Sequence, residues 1–137
     1  MWFVPVETVP HHRRIVYVFS TNAKLWYNPV VKGARLGEFE ELTLLAVCVL
    51  RDEAYGVPVQ EYVERVTGRT ITMGAVYASL DRLERKGFVR SALGDARPER
   101  GGKRKRFFSV TSAGTLALKE VRRVRDHIWR AIEANRS

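Results

Sequence analysis

Apolar residues after position 36 recur at helical spacing, interrupted by one stretch of strand-like texture. Leu42, Leu44, Leu45, Ala46, Val47, Val49 and Leu50 run through three turns behind an acidic start, Glu38-Phe39-Glu40-Glu41. Acids suit a helix N-terminus because they face its positive dipole end. This helix is apolar nearly all round, which predicts a central position with Cys48 in the core. It stops near Asp52, and Ala54-Tyr55-Gly56 reads as a turn. Val59, Tyr62, Val63 and Val66 form one face of a second helix, from Pro58 to Thr67, with Gly68 as its stop. Thr70-Ile71-Thr72 is short and β-prone. Thr72 then caps a third helix, Met73 to Lys86, with Val76, Leu80 and Leu83 as its inner stripe and Gly87 after its last turn. Phe88–Ala92 and Arg104–Val110 read as paired strands around a Gly-, Pro- and charge-rich tip at 93–103. Thr111 caps a final helix that runs to about Ala134. Residues 1–35, broken by Pro5, Pro10 and Pro29, share none of this periodicity. They are expected to be an irregular N-terminal extension. An alternative is that they lie outside the native chain, because Val30 and Val31 stand where a valine-coded bacterial start could fall.

The order helix, helix, helix, strand, basic loop, strand, long helix is mainly α with a small β-hairpin, an α+β arrangement. It predicts a winged helix-turn-helix over 36–111, with an appended C-terminal helix over 112–137. In such a fold the third helix enters the DNA major groove and the hairpin tip reaches neighbouring phosphates or the minor groove.

Charge sharpens that expectation. The chain of 137 residues has a formal net charge of +9, and the surplus is focused. Residues 82–106 hold ten basic and three acidic side chains, whereas 38–81 hold three basic and eight acidic. A focused surplus suits a phosphate-facing surface, although a solvated hairpin tip has the same composition. A single cysteine excludes a disulfide scaffold. No apolar run approaches the roughly 18 residues of a membrane span, and Ile15–Phe19 after Arg13-Arg14 is too short for a signal core. A soluble cytoplasmic protein that does not engage membrane is expected.

Candidate contacts follow from position. Gly74, Ala75 and Ala78 are small and admit close approach of the third helix, where Thr72 and the first amides can face phosphate. Tyr77 can reach a base edge or phosphate, or pack half-buried. Arg82 and Arg85 lie on the outer side and serve as phosphate contacts or as solvated charge. Glu84 is expected to pair with a neighbouring arginine. Arg100, Lys103, Arg104 and Lys105 are the wing contacts, with Gly101-Gly102 permitting a tight turn. On the last helix Ala117, Val121, Val124, Ile128 and Ala131 recur at 4-3-4-3 spacing, flanked by Leu118, Trp129 and Ile132. Such a stripe needs a partner surface. Catalysis is not expected: His11, His12, Cys48 and His127 have no zinc spacing, and no phosphate loop, nucleophile elbow, cofactor motif or metal site is visible.

Gly74-Ala75-Val76-Tyr77-Ala78-Ser79-Leu80-Asp81-Arg82-Leu83-Glu84-Arg85-Lys86-Gly87-Phe88-Val89 resembles the recognition-helix block of the PadR family of bacterial transcriptional regulators. Pro98–Thr111 is similar to its wing, second strand and helix cap, and Leu36–Leu45 with Asp52–Gly56 to its first helix and turn. The resemblance spans about 32–134; Phe107-Phe108 stands where the family often has tyrosines, and residues 1–31 have no counterpart. It implies a dimer, with Leu118, Val121, Val124, Ile128, Trp129 and Ile132 at the interface. It further implies a repressor of a nearby operon, acting on double-stranded DNA at a palindromic operator. A small aromatic effector is the implied signal, with Trp129 as a candidate platform. The rival expectation is a winged-helix protein-interaction module without operator specificity.

Overall fold

The computed structural model describes residues 35–95 and 104–136. Three helices come first: α1 (Glu38–Leu50), α2 (Gly56–Thr67) and α3 (Met73–Arg85). A two-stranded hairpin of β1 (Val89–Leu93) and β2 (Arg106–Val110) follows, and α4 (Ser112–Ala134) ends the chain. The strands are antiparallel, with Val89 opposite Val110 and Leu93 opposite Arg106. The N-terminal extension expected at 1–35 lies almost wholly outside the described residues, as does most of the hairpin tip.

Local chemistry accounts for the boundaries. The Thr72 hydroxyl accepts from the Ala75 amide at 3.1 Å, and the Thr111 hydroxyl from the Gly114 amide at 3.0 Å. Each satisfies one of the N–H groups that a helix start leaves unpaired. At the end of α3 the Phe88 amide donates to Leu83 and the Gly87 amide to Glu84. This paired closure requires a left-handed residue, which Gly87 supplies at φ 83°. Leu83 and Phe88, brought together by that turn, are both fully buried.

One core joins all the elements. Leu44, Ala46 and Val47 of α1 meet Val59 and Val63 of α2, Val76, Leu80 and Leu83 of α3, and Phe88, Val89 and Phe108 of the hairpin. Burying each large side chain contributes about 1.5–3 kcal/mol. A chain of hydroxyls crosses the α1–α3 contact: Ser79 donates to Thr43 at 3.0 Å, and Thr43 donates to the Phe39 carbonyl at 2.7 Å. Both side chains are buried, so these bonds offset a desolvation cost that apolar neighbours would not.

Three features differ from the sequence-based expectation. α2 begins at Gly56, not Pro58; Tyr55 is its extended N-cap, and Pro58 still falls in the first turn, where no amide is needed. Thr70-Ile71-Thr72 is not a strand. Glu64 accepts from the Ile71 amide at 2.7 Å, and Gln60 donates to the Ile71 carbonyl at 2.6 Å, so α2 side chains replace a ladder partner. The outer edge of β2 is met elsewhere, by the bond from the Phe108 amide to the Ala54 carbonyl. Finally, α1 is central but not enclosed, and Cys48 is exposed rather than in the core. It shares with Leu45 and Val49 an outer face that no other element covers among the described residues.

Only the start of α4 joins the core, through Ala113, Ala117 and Leu118. At 1.5 Å per residue its 23 residues span about 34 Å. Arg125 pairs with Glu41 of α1 at 2.8 Å, and from Asp126 onward every described residue is exposed.

The α2–α3 turn yields a test. Glu64→Ala leaves the Ile71 amide without its acceptor and is expected to lower stability by about 1–3 kcal/mol. Urea unfolding checks the loss, and faster amide exchange at Ile71 localises it.

Candidate nucleic-acid interface

α3 presents one exposed arc. Gly74, Tyr77, Ala78, Arg82 and Arg85 are exposed and Asp81 is half-buried, at successive spacings of three, one, three, one and three. This is a single helical face, opposite the buried Val76, Leu80 and Leu83. Thr72 stands exposed at the N-terminal end of the same helix. Ala75 lies off the arc: it is half-buried against the core, and its amide is engaged by the Thr72 cap. Small residues at 74 and 78 leave the N-terminal half of the arc open on either side of Tyr77.

Tyr77 is 41% exposed and has a seat. Its hydroxyl end lies over Gly56 at the start of α2, in the space that a Cβ at position 56 would occupy, and Met73 borders the same space. Tyr77 is therefore packed at its hydroxyl end although the residue as a whole is partly exposed.

The cations of the 82–106 stretch are less available than their number implies. Glu40 of α1, only 6% exposed, takes Arg82 at 3.0 Å on one carboxylate oxygen and Lys86 at 2.7 Å on the other. Its inner oxygen also accepts the Gly37 amide at 2.9 Å, a reach-back that satisfies the helix start. Lys86 further donates to the Arg35 carbonyl at 2.6 Å. Arg106 of β2 pairs with Asp81 at 3.2 Å and Glu84 at 2.5 Å, and it lies over the Phe108 ring. Ser91 completes Glu84 at 2.8 Å. These pairs fix the hairpin to α3.

Lys105 donates to the Tyr55 hydroxyl at 2.7 Å and sits over its ring, and Phe107 meets the same ring edge-on at 5.3 Å. Arg104 donates to the Gly94 carbonyl at 2.8 Å. Arg100 and Lys103 lie outside the described residues. On the α3 arc Arg85 alone, among the described residues, is a cation with no intramolecular partner.

Sequence reasoning missed Glu40, Asp81, Arg106 and Tyr55 as residues that shape this surface. A signal existed for Glu40: it stands three residues after Gly37, the spacing of a reciprocal helix start, although the same residue was read only as a charge complementing the helix dipole. Its cationic partners lie 42 and 46 residues away and leave no local trace.

On the last helix Leu118 and Val121 are half-buried, while Val124, Ile128, Trp129 and Ile132 are 41–59% exposed. Among the described residues the stripe therefore stands uncovered along the exposed part of α4, as does the Leu45, Cys48 and Val49 face of α1. No helix among the described residues is long and apolar enough to cross a membrane.

Three helices, a hairpin docked on the third and a long closing helix define a winged helix-turn-helix protein. The chain matches the transcriptional regulator PadR-like family over residues 44–120, more than half its length, and it belongs to that family. It is thus a DNA-binding transcriptional regulator rather than an enzyme. No curated protein matches it. Among solved structures, the fold is similar to that of a PadR-like transcription factor from Bacteroides fragilis. The TM-score is 0.59 at 17% identity, over 82% of this chain and 97% of that one. A PadR family regulator from Clostridium difficile R20291 aligns with TM-score 0.53 at 20% identity, over 70% and 98%. One from Eggerthella lenta DSM 2243 gives 0.55 at 23%, over 71% and 84%.

Burial alone would raise the Glu40 carboxyl, but the Gly37 amide and the Lys86 and Arg82 donors outweigh it and hold the group below its ordinary 4.5. A lowered carboxylate stabilises the fold above its unfolded value, and that contribution is lost as pH falls through the folded one. Stability is therefore expected to drop as pH is taken below about 4.5. Glu40→Gln should show a shallower drop; urea midpoints measured from pH 6 down to the acid limit, roughly 3, check it.

Proposed function

We propose that the protein is a homodimeric PadR-type repressor that binds a palindromic operator near its own gene. The observation that supports this reading best is the exposed α3 arc, where small residues flank Tyr77 and Arg85 has no partner among the described residues. Thr72, Gly74, Tyr77 and Ala78 would approach base edges and phosphates from the N-terminal turns, with Ala75 supporting them from the core side. Arg85, and Arg82 where it is released from Glu40, would meet phosphate. The hairpin residues Arg100, Lys103, Arg104 and Lys105 would follow the backbone beside the groove, since phosphate contacts position a protein on the duplex without reading its sequence.

In this reading residues 36–111 form the DNA-binding unit and α4 the dimerisation helix. Leu118, Val121, Val124, Ile128, Trp129 and Ile132 pack against a second copy, which covers an apolar stripe that the protomer leaves open. Two-fold symmetry then presents two α3 helices to successive major grooves. A small aromatic effector stacked on Trp129 between subunits would relax operator binding. The protein acts in the cytoplasm, with the segment before residue 36 as an extension of the domain.

Binding to its own promoter DNA, titrated against salt, tests the reading. Arg85→Ala is expected to weaken binding and to lower the salt slope by about one, the effect of one lost phosphate contact. An unchanged slope removes Arg85 from the DNA. Failure of the wild type to bind promoter DNA more tightly than random duplex would overturn the repressor reading.

Val124→Asp with Ile128→Asp is expected to yield a monomer. Two like charges would face their symmetry mates in low dielectric, at a cost of several kcal/mol. Operator affinity should fall by about 100-fold as the two half-sites are uncoupled. Sedimentation gives the mass, and a wild-type monomer at micromolar concentration would contradict the dimer.

A further inference from the structure

We infer that Glu40 is a positioning residue that tunes DNA affinity by holding Arg82 against α1 and withholding it from DNA phosphates. The inference rests on the proposed placement of α3 against duplex DNA and adds a role for a residue outside that surface.

The geometry is one-sided. Arg82 sits on the exposed arc, one helical turn from Ala78 and one from Arg85, where a free guanidinium would stand beside any backbone that Arg85 meets. Its Nε donates to Glu40 at 3.0 Å, and the carboxylate that receives it is almost fully buried. Withdrawing the arginine would leave that carboxylate with one cation fewer in a poorly solvated place, and an uncompensated buried charge is costly. Lys86 cannot replace it, because it already occupies the other oxygen and is tied to the Arg35 carbonyl. Arg82 is therefore retained by α1 through its Nε, although its side chain stays 44% exposed.

Electrostatic phosphate contacts supply nearly all sequence-independent affinity. A cation kept off the backbone lowers binding to operator and random DNA alike, because a phosphate contact carries no sequence information. Glu40 thus lowers the overall affinity and its salt dependence, while the same bond fixes the pose of α3. A purely structural carboxylate would behave differently: its loss would weaken both kinds of binding and leave no added phosphate contact.

The experiment compares wild type, Glu40→Gln, Arg82→Gln and the double variant on promoter DNA and random duplex across a salt series. Circular dichroism and urea unfolding confirm the fold of each. Glu40→Gln is expected to steepen the salt slope by about one and to tighten promoter and random-duplex binding alike by roughly three- to tenfold at about 0.1 M salt. Arg82→Gln alone should leave the slope unchanged, and the double variant should return it to the wild-type value. A slope lowered by about one in Arg82→Gln would overturn the proposal, because Arg82 would then already be on phosphate. So would an unchanged or shallower slope in a folded Glu40→Gln. If Glu40→Gln does not fold, Arg82→Gln decides alone, since Glu40 keeps Lys86 there. A wild type that binds no duplex overturns the regulator reading and this proposal together; the other contrary outcomes overturn the proposal only.

Discussion

Burying a carboxylate costs free energy unless its oxygens are met, and Glu40 meets that condition with three donors from two places in the chain. The Gly37 amide comes from its own helix start, while Arg82 and Lys86 come from the far end of α3. The same carboxylate therefore begins α1 and sets where α3 ends against it. Beside it Glu41 holds Arg125 of the closing helix. Neighbouring glutamates of one helix thus join α3 on one side and α4 on the other. The buried Thr43–Ser79 bond, one turn further along α1, holds the two helices at a second level. Apolar packing makes this contact strong, but it is non-directional; the charged and hydroxyl bonds select one orientation of α3.

The distribution of cations follows from those bonds. A surplus concentrated in residues 82–106 reads as a phosphate-facing surface. Yet Arg82, Lys86 and Arg106 complete the fold by pairing with Glu40, Asp81 and Glu84. Lys105 is bound to Tyr55 by a hydrogen bond and by its position over the ring. The net acidic stretch that precedes the basic one is thus partly its counter-charge. Net charge along a sequence measures what a surface could attract, and the paired geometry decides which groups are free to do so.

What was legible in the sequence was local. Thr72 and Thr111 cap because a hydroxyl at that position meets an amide three residues on, and Gly87 ends α3 because it adopts a left-handed backbone at little cost. The inner stripes of α2 and α3 and the length of α4 follow from a period of 3.6 residues. Ile71 misled because β propensity is a packing preference, and here two α2 side chains took the backbone bonds instead. Cys48 misled because an apolar neighbourhood along the chain does not say which side of α1 is covered. The Glu40 network was invisible because its partners are distant in sequence and the residue type alone fits a helix start equally well.

The proposed binding mode puts the exposed arc of α3 in the major groove, twice per dimer. Dimethyl sulfate protection on the promoter reads it directly, because guanine N7 lies in the major groove and adenine N3 in the minor groove. Guanine N7 protection is expected in two half-sites about 10 base pairs apart, on one face of the duplex. Protection confined to adenine N3, or a single protected segment without a symmetry mate, would contradict it.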